Sequence, residues 1–580
     1  MDHRRRTTED RPPSTPTRGY ATEESAPTPA LFRGERERSG RDGRRLAPLG
    51  MLLGLIAAAL ACGRPQATNT PPPTAARVAA RAPFTIALEY AMLGLGEAYA
   101  PTGVSFAKPM PVYSVWGNLE PEPGRWVWGP LDALVSEYQS AGFDGLQVLL
   151  TAESPWAASR QPKLGDLGNT FPQERYLDDY AAYVTAVVER YDGDGQADMP
   201  DLRGGVHQWG VEREFTGYWP GTTEQYVRLL QIAYPAIHAA DAQAQVLLVA
   251  LLLADGFDGS PTRAESERRL AKDASFRKSL DDTLTILAAC EFYDMVDFHA
   301  LGHYTEIVPT AGWIRDKLAA NGCGETPIWI GDAFPMSAIV AFGGLVPPMP
   351  VAPVTLTTRD QVVALLKAVA DPADPDHAAS KAWLEAEVAV GLVKKIVAAA
   401  GAGVAGINVG NLEDWKTGLP GADKLAVPSL GASMFMGLMD TTVTQEKPGG
   451  AFPFTGHLQA QARRAGDARP GFAAIGLAQA RLNGFVSVQA LDLGPGVSAY
   501  RFERPAGPVW VLWYDDGGLY LPGEVPPSTT VSLPFGAERA RVTWVPVSRE
   551  QMEPKAESLA AGATLTLTLD STPVFVEEAP

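Results

Sequence analysis

Cysteine is scarce in this sequence, at three residues in 580, and the seven histidines do not make up for it. No His/Cys cluster has zinc spacing and no serine sits in a nucleophile elbow, so metallohydrolase and esterase chemistry find no support. No Gly-rich phosphate loop follows the first strand-like run, which argues against a dinucleotide-binding sheet. Positive charge is short as well. The formal net charge is −18 and no basic stripe occurs after residue 65, so the surface would repel phosphates, and nucleic acid is excluded as a partner. No period of 20 to 50 residues repeats. "DGDGQAD", residues 192–198, sets Asp192, Asp194, Gln196 and Asp198 at alternate positions as a calcium loop does. It lacks the glutamate that completes such a loop and reads as a polar turn. Neither metal nor cofactor is expected.

What is present is apolar and rich in turns, with 46% hydrophobic residues, 57 Gly and 49 Pro. That composition fits a large globular protein of two folded units. Residues 1–45 are polar and Arg-rich without periodicity, and "LAPLGMLLGLIAAALAC" then follows Arg44 and Arg45. This is a signal-peptide layout. It resembles a bacterial lipoprotein signal with Cys62 as the lipidated residue, although Ala59 stands where leucine is usual. The expectation for residues 1–62 is a basic lead plus signal peptide, leaving the protein anchored to a membrane through lipid outside the cytoplasm. Secretion after ordinary cleavage is the alternative. Residues 63–82, rich in Pro, Ala and Thr, read as a stiff tether. Cys290 and Cys323 each precede an apolar run by a similar distance. On neighbouring parallel strands they would share one end of the sheet, either as a disulfide or as two buried thiols.

From residue 83 to about 445, apolar runs alternate with amphipathic segments. The strand candidates are an early one between residues 84 and 105, then "VYSVW", "GLQVLL", "GVHQWGVE", "AQVLLVALLL", "MVDFHAL", "PIWIGD" and "VAGINVG". Helical periodicity fits the stretches between them. Near-continuous apolar strands imply a parallel sheet covered by helices. Seven or eight such units fit an α/β fold of the (β/α)8 TIM barrel type. Residues 335–380 are too long for an ordinary connection and would form a loop insertion after the seventh strand. From 470 to 580 short alternating runs are separated by Gly, Pro and Asp turns, which reads as an antiparallel β-sandwich.

Barrel enzymes carry their reactive side chains where strands end. The second strand candidate ends in Trp116, the third leads to Glu153 and Trp156, and the fourth ends in Glu212-Arg213-Glu214. The sixth ends in His303-Tyr304, the seventh in Asp332, and the eighth is followed by Glu413, Asp414 and Trp415. Opposed carboxylates among aromatic rings are what glycosidic cleavage requires. Trp116, Trp156, Trp219 and Trp415 are candidate sugar platforms, although rings near a barrel rim also serve as packing. Glu120, Glu153, Glu413 and Asp414 would by default be solvated, and His299 reads as a core residue.

"WGNLEPEPGRWVWGPLD", "GLQVLLTAESPWA", "WGVEREFTGYWPGTTEQYVRLL", "VDFHALGHY" and "PIWIGDAF" together resemble, in order, motifs of clan A glycoside hydrolases near families 39 and 42. The resemblance implies a barrel with a sandwich behind it and a carbohydrate as substrate or ligand. It places Glu214 at the acid/base position and Asp332 at the nucleophile position, with His303 and Tyr304 as substrate contacts. Two positions depart from the pattern. Arg213 replaces the asparagine before the acid/base, and Asp332 replaces a glutamate. The shorter aspartate withdraws its carboxylate by about 1 Å, away from direct attack and toward an inverting arrangement or none. Arg213 would either recognise an acidic glycan group or neutralise Glu212. Two readings result: a surface-tethered hydrolase of O-glycosidic bonds, or an inactive carbohydrate-binding or envelope scaffold of the same fold.

Overall fold

The computed structural model describes residues 84–579 apart from 161–169, 216–218, 258, 273–276, 337–355, 412, 415–422, 426, 428–430 and 445–461. The expectations for Cys62, the signal, the tether and Trp415 therefore lie outside the described residues.

Eight parallel strands close into a barrel in chain order: β1 (Thr85–Ala91), β2 (Phe106–Pro109), β3 (Gly145–Leu150), β4 (Gln208–Val211), β5 (Gln245–Leu252), β6 (Met295–Ala300), β7 (Ile328–Ala333) and β8 (Gly406–Asn411). β8 pairs with β1 to complete the ring. Apolar runs covered on both faces explain the near-continuous burial of β5, β6 and β7. Six of the expected helices are present, among them Leu177–Tyr191, Thr223–Ala240 and His377–Ala402. The Thr223–Ala240 helix begins with a reciprocal capping box between Thr222 and Gln225.

Two expectations about the elements are corrected. "VYSVW" is not the second strand: a 3-10 turn at Pro111–Tyr113 and a short helix at Trp116–Leu119 occupy it, and only Val115 bridges to Thr151. The true β2 is four residues with a lysine inside and a proline at its end, too short and too polar to stand out by pattern. The boundary at 470 also moves. Pro470–Leu482 is a helix whose Gly471 lies against Val388 and Leu392 of the long His377–Ala402 helix, so it belongs to the barrel wall. Within the stretch 335–380, Leu356–Val369 is helical.

The antiparallel part begins at Ser487. Ser487–Ala490, Val497–Glu503, Val509–Tyr514, Val574–Glu578, Arg539–Trp544 and Ala556–Ala560 form a six-stranded sheet in that order, and Thr529–Pro534 pairs with Thr564–Leu569 beside it. Trp510, Leu512, Val531, Leu567 and Val576 fill the space between the two. Ion pairs fasten the segments after β8 to one another, and Arg549 ties the antiparallel unit to the barrel. Arg469 makes a bidentate pair with Asp414 at 2.7 and 2.6 Å and also reaches Asp440. Arg549 grips both Glu385 and Asp440. Glu413 pairs with Arg463. Glu413 and Asp414, expected as solvated loop acids, are thus buried in structural ion pairs.

Cys290 and Cys323 form a disulfide with Cα atoms 6.4 Å apart, joining the segments that lead into β6 and β7.

Candidate functional site

The charged cluster that ends β4 divides three ways. Glu212 adopts φ 65°, a left-handed backbone unusual for a side chain with a Cβ, and turns inward. There it is fully buried and accepts a bond from the Ala152 amide at 2.7 Å. Burial pushes its carboxyl up to about 8, against the lowering effect of that amide bond. Arg213 turns to β3's exit and lies 3.3 Å from Glu153, which is wholly buried. Glu153 is therefore an inner ion-pair partner and not the solvated acid expected, and Arg213 pairs with it while its charge also acts on Glu212. Glu214 keeps a partly exposed side chain and meets His299 Nδ1 at 2.7 Å.

His299 is the residue that sequence reasoning missed. It sits on β6, in register with Asp332 on the adjacent β7. Adjacent strands lie about 5 Å apart, so neighbouring inward side chains share one space. Burial works against a charged ring, but the bond to Glu214 and the charges of Glu214, Asp297 and Asp332 outweigh it and lift the imidazole to about 9. His299 is therefore a cation at neutral pH, and Nδ1 donates to Glu214. Asp332 is 3% exposed and its Oδ1 is buried without a hydrogen-bond partner. Burial pushes Asp332 up to about 6, with His299 and Lys108 pulling down and Glu214 and Asp297 pushing up.

A charged scaffold beneath holds this arrangement. Lys108 of β2 lies 2.7 Å from Glu89 of β1 and donates at 2.6 Å to the carbonyl of Gly331. Asp297 of β6 accepts from the Gly331 amide, also at 2.6 Å. Both polar groups of the residue just before Asp332 are thus held by inward charges. A Cβ at Gly331 would lie 2.0 Å from Asp297 Oδ2, so glycine is required for that approach. Burial raises Glu89 to about 8 despite Lys108.

The remaining expected contacts lie apart from Glu214 and His299, with His303 and Tyr304 on the wall of a separate cavity. Trp116 and Trp219 are closed to solvent: Trp116 donates to Glu120 at 2.7 Å and stacks on Tyr183, and Trp219 donates to the Thr222 carbonyl and abuts Tyr226. Neither presents a face to a sugar, because the rings are spent on core packing. Trp156, half-buried, is fastened to the Glu120 carbonyl. Glu120 itself also accepts from Gly124 and is structural. His303 and Tyr304 face the C-terminal sheet, where Tyr304 accepts from Trp513 at 3.0 Å and His303 Nε2 lies 3.5 Å from Asp515. At residues 192–198, Asp192, Asp194 and Asp198 have carboxylate oxygens within 4.8 Å of one another, and all three accept amides of their own loop.

No protein-family model and no curated protein matches the chain. Among solved structures, a family 39 glycoside hydrolase from the gut symbiont Bacteroides cellulosilyticus WH2 matches with a TM-score of 0.52 at 11% identity, over 86% of this chain and 81% of that one. A monomeric β-xylosidase from Caulobacter crescentus CB15 matches with a TM-score of 0.46 at 13% identity, over 86% and 98%. The chain therefore shares the fold of that family 39 glycoside hydrolase, a closed parallel barrel followed by antiparallel sheets.

Proposed function

We propose that the protein hydrolyses O-glycosidic bonds of an oligo- or polysaccharide, with Glu214 and Asp332 as its carboxylate pair. The observation that carries this is their convergence on His299. Two acids far apart in sequence flank one imidazole at the C-terminal end of the barrel: Glu214 bonds to it, and Asp332 stands in register beside it with its charge acting on the ring. The surroundings of Asp332 suit the proton-donor role. Glu214, partly exposed and held by the donor Nδ1 of His299, is placed for attack on the anomeric carbon or for activation of water. Asp332 has no such donor and is pushed toward neutrality, which suits protonation of the leaving oxygen. The roles are thereby exchanged relative to those the sequence resemblance implied, and the leaving group would lie on the β7 side.

Aryl glycosides with good and poor leaving groups test this. Asp332→Asn should lose about 10²–10⁴-fold on poor leaving groups and far less on dinitrophenyl glycosides, which need no proton. Glu214→Gln should lose both. Because the donor must hold its proton, wild-type activity should fall as pH rises through about 6. The reverse substrate pattern would restore the inherited roles. The near closure of Asp332 favours a second reading, carbohydrate binding without catalysis, and silence of wild type and both variants across the panel would select it. The disulfide supports an oxidising, extracytoplasmic location, and the signal-like residues 46–62 support tethering through Cys62.

A further inference from the structure

A cavity of about 250 Å³ lies between the barrel rim and the C-terminal sheets, lined by Trp383, Glu387, Tyr514, Asp515, Asp516 and Tyr520 among others. Its walls are fixed before any ligand arrives. Trp383 Nε1 donates to the Tyr520 carbonyl at 2.7 Å, and the Tyr520 hydroxyl donates to Asp516 at 2.6 Å. Lys394 spends its charge on Asp515 at 2.9 Å and lies over the Tyr304 ring. Glu387 has neither a hydrogen bond nor an ion pair among the described residues, and burial raises its pKa.

Three features of the lining select a ligand. Half-buried rings offer apolar faces, and Glu387 offers two acceptor oxygens to a pair of hydroxyls. Glu387, Asp515, Asp516 and Glu524 outnumber Lys394 and Lys395, so a carboxylate or sulfate group would be repelled. The volume falls below the ~300–1,000 Å³ of sites for drug-sized ligands, which fits one ring. Pro335, two residues beyond β7, also lines the cavity, so it opens at the same end of the barrel as Asp332.

We propose that this cavity is a second, non-catalytic site that holds one neutral pyranose unit of a saccharide chain. That the ligand is a sugar rests on the function proposed above; the site itself does not involve Glu214 or Asp332. Calorimetric titration of the full chain with neutral xylo-, cello-, manno- and arabino-oligosaccharides, and with oligogalacturonate, tests it. Trp383→Ala and the isosteric Glu387→Gln should each weaken binding of a neutral oligosaccharide by about 10-fold. Both should hydrolyse a small aryl glycoside at the wild-type rate, and Glu214→Gln should bind the oligosaccharide as wild type does. Equal binding by wild type and the two cavity variants would overturn the proposal, as would absence of binding to every neutral oligosaccharide, or preference for oligogalacturonate. Loss of hydrolysis with binding intact would overturn only the catalytic reading.

Discussion

At the scale of the residue, three adjacent charges at one strand end have three fates because the backbone twists at Glu212. Glu212 is a neutral acid at pH 7, held by one amide. Its folded pKa, about 8, lies above the ordinary 4.5, so the folded state keeps a proton that the unfolded state releases. Stability is therefore lost as pH rises from about 4.5 to about 8 and is level beyond. Glu212→Gln keeps the acceptor and removes the titration. It should match wild type in urea unfolding near pH 4 and exceed it progressively up to pH 8; parallel curves would contradict the buried, neutral assignment. Glu214 and Asp332 were legible in the sequence because each ends an apolar run. His299 was not. A single histidine in an apolar strand has the pattern of a packed core residue, and its partner is 85 positions away.

At the scale of the element, β2 shows why a strand can escape detection. The apolar run "VYSVW" is more strand-like than "FAKP", yet Lys108 belongs inside because Glu89 and Asp297 surround its ammonium there. No local pattern encodes that neighbourhood. Breaking a buried pair by removing one partner costs about 3–5 kcal/mol, whereas replacing both by apolar groups is often neutral. Above pH 8, where Glu89 is ionised, Lys108→Met should accordingly destabilise by about that amount in urea unfolding, and adding Glu89→Leu should recover most of it. Failure of the second change to rescue the first would show that the bond to the Gly331 carbonyl, rather than the ion pair, carries the effect.

At the scale of the whole molecule, the Cys290–Cys323 bond closes a loop with a sequence separation of 33. The chain-entropy account gives about 3–4 kcal/mol for a loop of that size, so the double serine variant should unfold at lower urea with its barrel intact by circular dichroism. A variant as stable as wild type would mean that the β6 and β7 entries are held by packing alone. The spacing of the two cysteines allowed a pair of thiols equally well, and only the juxtaposition of the two strand entries in the closed ring decided between them.

By itself the sequence determined the barrel, since alternation of buried strands with amphipathic helices is written locally and needs no knowledge of distant contacts. It also determined the antiparallel unit and the two strand-end acids. Only the tertiary structure decided which charges point inward, that Trp116 and Trp219 are core, that His303 and Tyr304 serve a seam with the C-terminal sheets, and that His299 bonds to Glu214 in register with Asp332. The reason is physical. The state of a charge depends on every neighbour within a few ångströms, and in a closed barrel those neighbours come from strands hundreds of residues apart.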